Sequence, residues 1–229
     1  MDVADNTFAD RAIAYYLNLR EPTNLPAGVS ALNPYRLPAV QNVVQAFYQK
    51  FFADQQPRVF LMGINPGRFG AGVTGISFTT PQNLTHYCGI ENDLRPTPEL
   101  SSRFVYRVVE ALGGAEAFYS RFFLTSLYPL ALVKEQKNYN FYDDRVTTAA
   151  LWPVITGEIR QQLTFGSDRR VGVCLGKKNE VFLKRLNDEQ GFFDRIIALD
   201  HPRYILQYRS RDLDAYVDQY VRTLADLLV

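Results

Sequence analysis

The chain has 229 residues, 47% of them hydrophobic, and a formal net charge of +1. That length fits one domain, residues 1–229, with a sizeable core, and the composition excludes a disordered chain. The near-neutral charge excludes a strongly basic nucleic-acid coat while leaving room for a local basic patch, and two cysteines exclude a disulfide framework or a four-cysteine metal cluster.

The opening stretch MDVADNTFAD is acidic and polar, unlike a signal peptide, and no apolar run has the length of a membrane span. A reduced, cytoplasmic setting is the expectation. Pro38 is a good first helical residue, and Val40, Val43, Val44, Phe47 and Phe51 behind it share one helical face. Val59 to Ile64 is a continuous apolar run of the kind shown by a strand buried on both faces. The stretch GINPGRFGAGVTGISF follows, with five glycines between Gly63 and Phe78.

Phe104, Val108, Ala111 and Leu112 predict a second amphipathic helix, and Phe122 to Ser126 a second strand running into TSLYPLAL. Asp143 to Leu163 reads as a long helical stretch broken near Pro153, with Asp143 and Asp144 as acidic first-turn residues. Val171 to Leu175 and Ile196 to Leu199 are the third and fourth strands, separated by a helix over Lys178 to Leu186. The segment DHPRYILQYRSR then leads to a last helix, N-capped near Ser210, with Leu213, Val217, Tyr220, Leu224 and Leu228 facing inward.

Strands alternating with helices predict an α/β fold of three αβα layers around a four-stranded parallel sheet. Ligands of such sheets bind beyond the C-terminal strand ends. The glycine stretch, TSLYPLAL and DHPRYILQYRSR all follow strands, so the fold should bring them to one site. The residues Gly70 to Gly75 satisfy G-x-G-x-x-G, but their context is not that of a dinucleotide loop. The strand ends well before them, and ISFTTP follows instead of a helix.

The segment Gly63-Ile64-Asn65-Pro66-Gly67-Arg68-Phe69-Gly70, followed by Thr74-Gly75 and Phe78, resembles the first motif of the single-strand-selective monofunctional (SMUG) family of uracil-DNA glycosylases. His201-Pro202 is similar to the start of that family's second motif, and the family's four-stranded parallel sheet is the one read above. The resemblance is greatest to a bacterial second branch of SMUG-type enzymes. It implies a monofunctional DNA glycosylase that acts on uracil and on other deaminated bases such as xanthine, needs no metal or organic cofactor, and works as a monomer on DNA.

Such chemistry takes the base out of the stack, stabilises it as it leaves with negative charge, and brings water to the sugar. His201 is the candidate donor to the leaving base and Asn65 the candidate for holding the water, since an amide orients water but does not ionise. Phe78 would stack on the base, and backbone N–H groups near Ile64 and Gly67 could contact it. Gly67 stands where classical uracil glycosylases have a tyrosine that excludes thymine, so bulkier bases should be tolerated. Ser126 stands where the SMUG family has a base-reading asparagine, so it becomes the candidate for base selection. After His201-Pro202 the family continues with a wedge arginine; here Arg203, Tyr204 and Gln207 are the candidates. Arg209, Arg211 and Lys177 are candidate phosphate contacts.

Other constellations are sparse. His86 and Cys88 are too small a set for a metal, two cysteines cannot ligate an iron–sulfur cluster, and no G-x-S-x-G elbow is present. An alternative reading is a nucleotide- or RNA-binding module with little activity. An α/β oxidoreductase rests on Gly70 to Gly75 alone.

Overall fold

A computed structural model describes residues 6–228, so residues 1–5 of the acidic opening stretch lie outside the described residues. Four strands make a parallel sheet: β2 (Arg58–Gly63), β3 (Phe122–Ser126), β6 (Ser167–Leu175) and β7 (Arg195–Leu199), in the order β3-β2-β6-β7. A second, antiparallel sheet orders β1 (Val29–Leu32), β4 (Ala131–Lys134) and β5 (Lys137–Tyr139) as β1-β4-β5. The helices are α1 (Phe8–Asn18), α2 (Pro38–Phe52), the single turn α3 (Ala71–Thr74), α4 (Pro81–Cys88), α5 (Leu100–Ala111), α6 (Gly114–Tyr119), α7 (Arg145–Leu163), α8 (Lys177–Gln190), α9 (Pro202–Tyr208) and α10 (Leu213–Ala225). Helices flank the parallel sheet, giving the three layers expected.

The register decides where function can sit. Gly63 pairs with Ser126, Met62 with Cys174, and Leu175 with Leu199, so all four strands end at one level. Each hands its chain to a loop or helix N-terminus there. Backbone bonds lock that edge: Leu127 donates to Gly63 at 3.0 Å and Gly176 to Leu199 at 2.7 Å.

The interior is aromatic. Phe8 of α1 stacks on Phe52 of α2 at 5.0 Å and meets Phe123 edge-on at 5.0 Å, while Phe60 lies 4.8 Å from Phe123. A capping box starts α1, with Thr7 and Asp10 satisfying each other's backbone donors. At the opposite edge of the sheet, Arg58 is fully buried. Its guanidinium donates to Asp54 at 2.8 Å twice and to the Tyr119 and Gln56 carbonyls at 2.8 and 2.5 Å, beneath the rings of Phe8 and Phe52. Beside it the β2–β6 register jumps between Arg58 and Phe60, a bulge in β6.

Several helices differ from the reading of the sequence. α7 runs unbroken through Pro153, so the proline does not end it. Ala111 is exposed, and the buried face of α5 is carried by Phe104, Val105, Val108 and Val109. Ser210 does not cap the last helix. A 3-10 turn occupies Ser210–Asp212, and α10 begins at Leu213. Beyond Ala225 the chain tightens again into a 3-10 turn, which rotates Leu227 inward and leaves Leu228 38% exposed.

Arg58→Met keeps the length of the side chain but leaves the Tyr119 and Gln56 carbonyls without their donor, while the exposed Asp54 carboxylate returns to water. The substitution should cost about 1–3 kcal/mol of stability in denaturant unfolding, as leaving backbone acceptors unpaired does. A cost below about 1 kcal/mol would show that the guanidinium network is energetically neutral.

Candidate active site

The C-terminal edge of the parallel sheet opens into a cleft of about 850 Å³. Its lining includes Ile64, Asn65, Gly67, Phe78, Ser126 and His201, so one cavity gathers both predicted motifs and the end of β3.

The floor is built by a missing side chain. A Cβ on Gly63 would lie 3.1 Å from Phe78 Cζ and 3.4 Å from Ser126 Oγ, so glycine at the end of β2 lets the Phe78 ring descend onto the strand. Phe78 takes a left-handed φ of 55°, a strained backbone for a bulky residue. Buried Thr74 sustains it, donating to the Thr79 carbonyl at 2.8 Å and accepting from the Ile76 N–H at 3.1 Å. Gly72 is required by close approach, since a Cβ there would sit 2.6 Å from the Gly67 carbonyl. Gly70 to Gly75 therefore wrap one helical turn and shape a cavity wall, not a dinucleotide cradle.

Asn65 joins two walls. Its Nδ2 donates to the Tyr139 carbonyl at 3.0 Å and the Pro66 carbonyl at 3.2 Å, while its Oδ1 accepts from the Phe141 N–H at 3.2 Å. Both amide hydrogens are thus committed to the backbone, and Oδ1 keeps a second lone pair. The amide is held with an acceptor available, which is what orienting a water toward a sugar carbon requires.

His201 caps α9. Its Nδ1 accepts from the Arg203 N–H at 3.1 Å, which puts the proton of the neutral ring on Nε2. Burial, reinforced by the Arg203 charge, pushes its pKa down to about 4. The ring lies 6.3 Å from Phe78, centroid to centroid. The preceding residue is fastened, because Tyr220 of α10 donates to the Asp200 carbonyl. The result is a neutral N–H donor on a rigid mount.

Ser126 is 4% exposed; its carbonyl accepts from Gln162 at 3.2 Å, and its hydroxyl makes no hydrogen bond among the described residues. Asn138 on β5 and the buried Asn179 on α8 also line the cleft and were missed from the sequence. Arg203, Tyr204 and Gln207 line the cleft, joined by exposed Phe69 and Tyr208. Arg209, Arg211 and Lys177 are not in the lining. Arg209 donates to the Tyr204 hydroxyl at 3.3 Å, and Lys177 pairs with Asp200 at 3.6 Å. Asp144 caps α7, and no group of three or more His, Cys, Asp or Glu among the described residues could hold a metal.

Residues 49–225 match the family model described as the uracil DNA glycosylase superfamily. The chain belongs to the uracil DNA glycosylase superfamily. The crystal structure of wild-type SMUG2 from Pedobacter heparinus is similar over 96% of this chain and 98% of its own, with 40% identity and a TM-score of 0.94. The chain's place within the superfamily is therefore the SMUG family, in its bacterial second branch. A comparison with curated protein sequences returns no match. No helix among the described residues is long and apolar enough to cross a membrane.

For this superfamily member, the charge state of His201 is directly testable. Its folded pKa lies below the ordinary 6.5. The neutral ring therefore contributes stability that is full above 6.5 and is lost as pH falls toward 4. An NMR titration of the ring carbon protons should give a midpoint near 4. A midpoint near 6.5 would mean a solvated, chargeable imidazole.

Proposed function

We propose that this protein is a monofunctional DNA glycosylase, a single-domain monomer that flips uracil and other deaminated bases such as xanthine out of DNA and hydrolyses their N-glycosidic bond. One observation carries the reading: a neutral imidazole donor and a clamped amide acceptor lie in the same cleft, over an aromatic floor.

The roles follow from the groups. The extruded base stacks on Phe78, in a contact worth roughly 1–3 kcal/mol. Ser126 Oγ meets its polar edge. His201 Nε2–H donates to a carbonyl oxygen as the C1′–N bond breaks. Both electrons of that bond leave with the base, so the donor acts as an oxyanion hole does. A neutral donor suits this step because it stabilises the anion without having to be charged and desolvated beforehand. The sugar is left as an oxocarbenium ion. Water held by Asn65 Oδ1 adds to C1′, and the proton it loses to solvent is matched by one that neutralises the departed base, giving the free base and an abasic site. Arg203, Tyr204, Gln207 and Tyr208 at the rim face the space the base has left, and Arg209, Arg211 and Lys177 lie farther out toward phosphates.

The defining assay incubates the protein with an oligonucleotide containing uracil. Strand scission should appear only after alkali, which separates base release from lyase cleavage. Scission without alkali would assign a lyase step, with Lys137 of the cleft lining as the amine to test. Binding without any release would favour the nucleic-acid-binding module.

His201→Ala should lower single-turnover release by about 10²-fold or more. Retained wild-type turnover would move the donor role to another group.

Ser126→Asn should raise the ratio of uracil to xanthine release by up to about tenfold, through one added hydrogen bond to the uracil edge. An unchanged ratio would remove Ser126 from base selection.

A further inference from the structure

Asn138 stands on β5, in the cleft wall that faces the glycine loop. The Arg68 backbone N–H donates to its Oδ1 at 2.9 Å. A backbone N–H can only donate, so the atom it meets is the carbonyl oxygen, and the opposite end of the side chain is the NH2 group. That Nδ2 makes no hydrogen bond among the described residues, although it lies at the surface of the cleft. A Cβ built on Gly67 would lie 3.4 Å from it. An oriented donor without a protein partner among the described residues thus borders the space left by the absent Gly67 side chain. The space is not simply open, as glycine alone suggested; it has a polar side.

The mount is firm. Asn138 pairs with Val133 in the β4–β5 hairpin, and the next residues are tied to the glycine loop through Asn65. Glu135 and Gln136 make the turn with left-handed φ values of 49° and 60°, the geometry a two-residue hairpin turn demands.

We propose that Asn138 reads purines in this cleft by donating from Nδ2 to the base's N7. The assignment rests on the glycosylase reading above and names the substrate class it favours. Ser126 and His201 come from the ends of β3 and β7, and their polar groups suit the oxygen-bearing edges of a deaminated base. The edge left for Gly67 and Asn138 is C5–C6 of a pyrimidine or N7–C8 of a purine. Uracil presents only C–H groups there, so the donor gains nothing from it. Xanthine and hypoxanthine present N7, an acceptor. Asn138 is exposed, so its amide stays hydrated when no acceptor arrives. The donor therefore adds selectively to purines.

The test measures single-turnover release from matched oligonucleotides carrying uracil, xanthine or 7-deazaxanthine, in which C–H replaces N7. Asn138→Asp keeps an acceptor for the Arg68 N–H while removing the donor; Asn138→Ala removes both. Both variants should lower the ratio of xanthine to uracil release about tenfold, the worth of one hydrogen bond. The loss on 7-deazaxanthine should be smaller than on xanthine by the same factor. Equal losses on xanthine and 7-deazaxanthine would overturn the contact and leave Asn138 a loop anchor. Wild type that releases uracil but not xanthine would overturn it as well. Release of no base at all would instead overturn the glycosylase reading, and this assignment with it.

Discussion

The cleft depends on one side-chain amide that is a donor at one end and an acceptor at the other. Asn65 uses its NH2 group on the Tyr139 carbonyl and its oxygen on the Phe141 N–H. This joins the loop after β2 to the end of the antiparallel sheet, two segments with no shared ladder. A carboxylate of the same shape would have nothing to donate, and a hydroxyl would be too short to span both groups. The same wall carries Asn138, bonded to the Arg68 N–H, and Tyr139, whose hydroxyl donates to Asp144 at the start of α7.

On the opposite wall, fixity comes from the strands themselves. His201 follows directly from β7, is held through Asp200 by Tyr220, and spends its Nδ1 on its own helix. Asn65 and His201 are therefore both held by hydrogen bonds to backbone groups, the condition for electrostatic preorganisation. The strained φ of Phe78 belongs to the same design. The ring lies over Gly63 because buried Thr74 bonds its loop on both sides, and the folded core bears the strain.

Much of this was legible in the sequence, for identifiable reasons. The apolar runs marked by Val59, Phe122, Val171 and Ile196 all lie in the parallel strands, with β2 and β3 buried along their length; β6 begins earlier, at Ser167, with polar residues the pattern could not show, and β7 is only half-buried. The motif residues were recoverable because Asn65, Phe78 and His201 keep their spacing to glycines and a proline that the backbone requires. The antiparallel sheet was not visible. Its strands are short, β5 reads only Lys-Asn-Tyr, and its turn is made by Glu135 and Gln136 without a glycine or asparagine to announce it. Asn138 was missed with it, since nothing local distinguishes it from a surface asparagine. The capping box at Thr7 and Asp10 was a readable sign of α1 that went unused. Pro153 misled because its local preference against a helix interior was outweighed by tertiary packing of Leu151, Ile155 and Ile159 on the core.

The strand order has a consequence for a chain still being made. β2 sits between β3 and β6, and Asn65 bonds a carbonyl 74 residues further on. An emerging polypeptide holds Asn65, Phe78 and Ser126 early, yet lacks both the inner neighbour of β2 and the imidazole carried beyond β7. Contacts of such long sequence range form late, after most of the chain has been ordered. The imidazole wall is in turn fastened by α10, whose Tyr220 donates to the Asp200 carbonyl. The two walls of the cleft are thus joined by parts of the sequence far from one another, and the site is a product of the whole sheet rather than of any one segment.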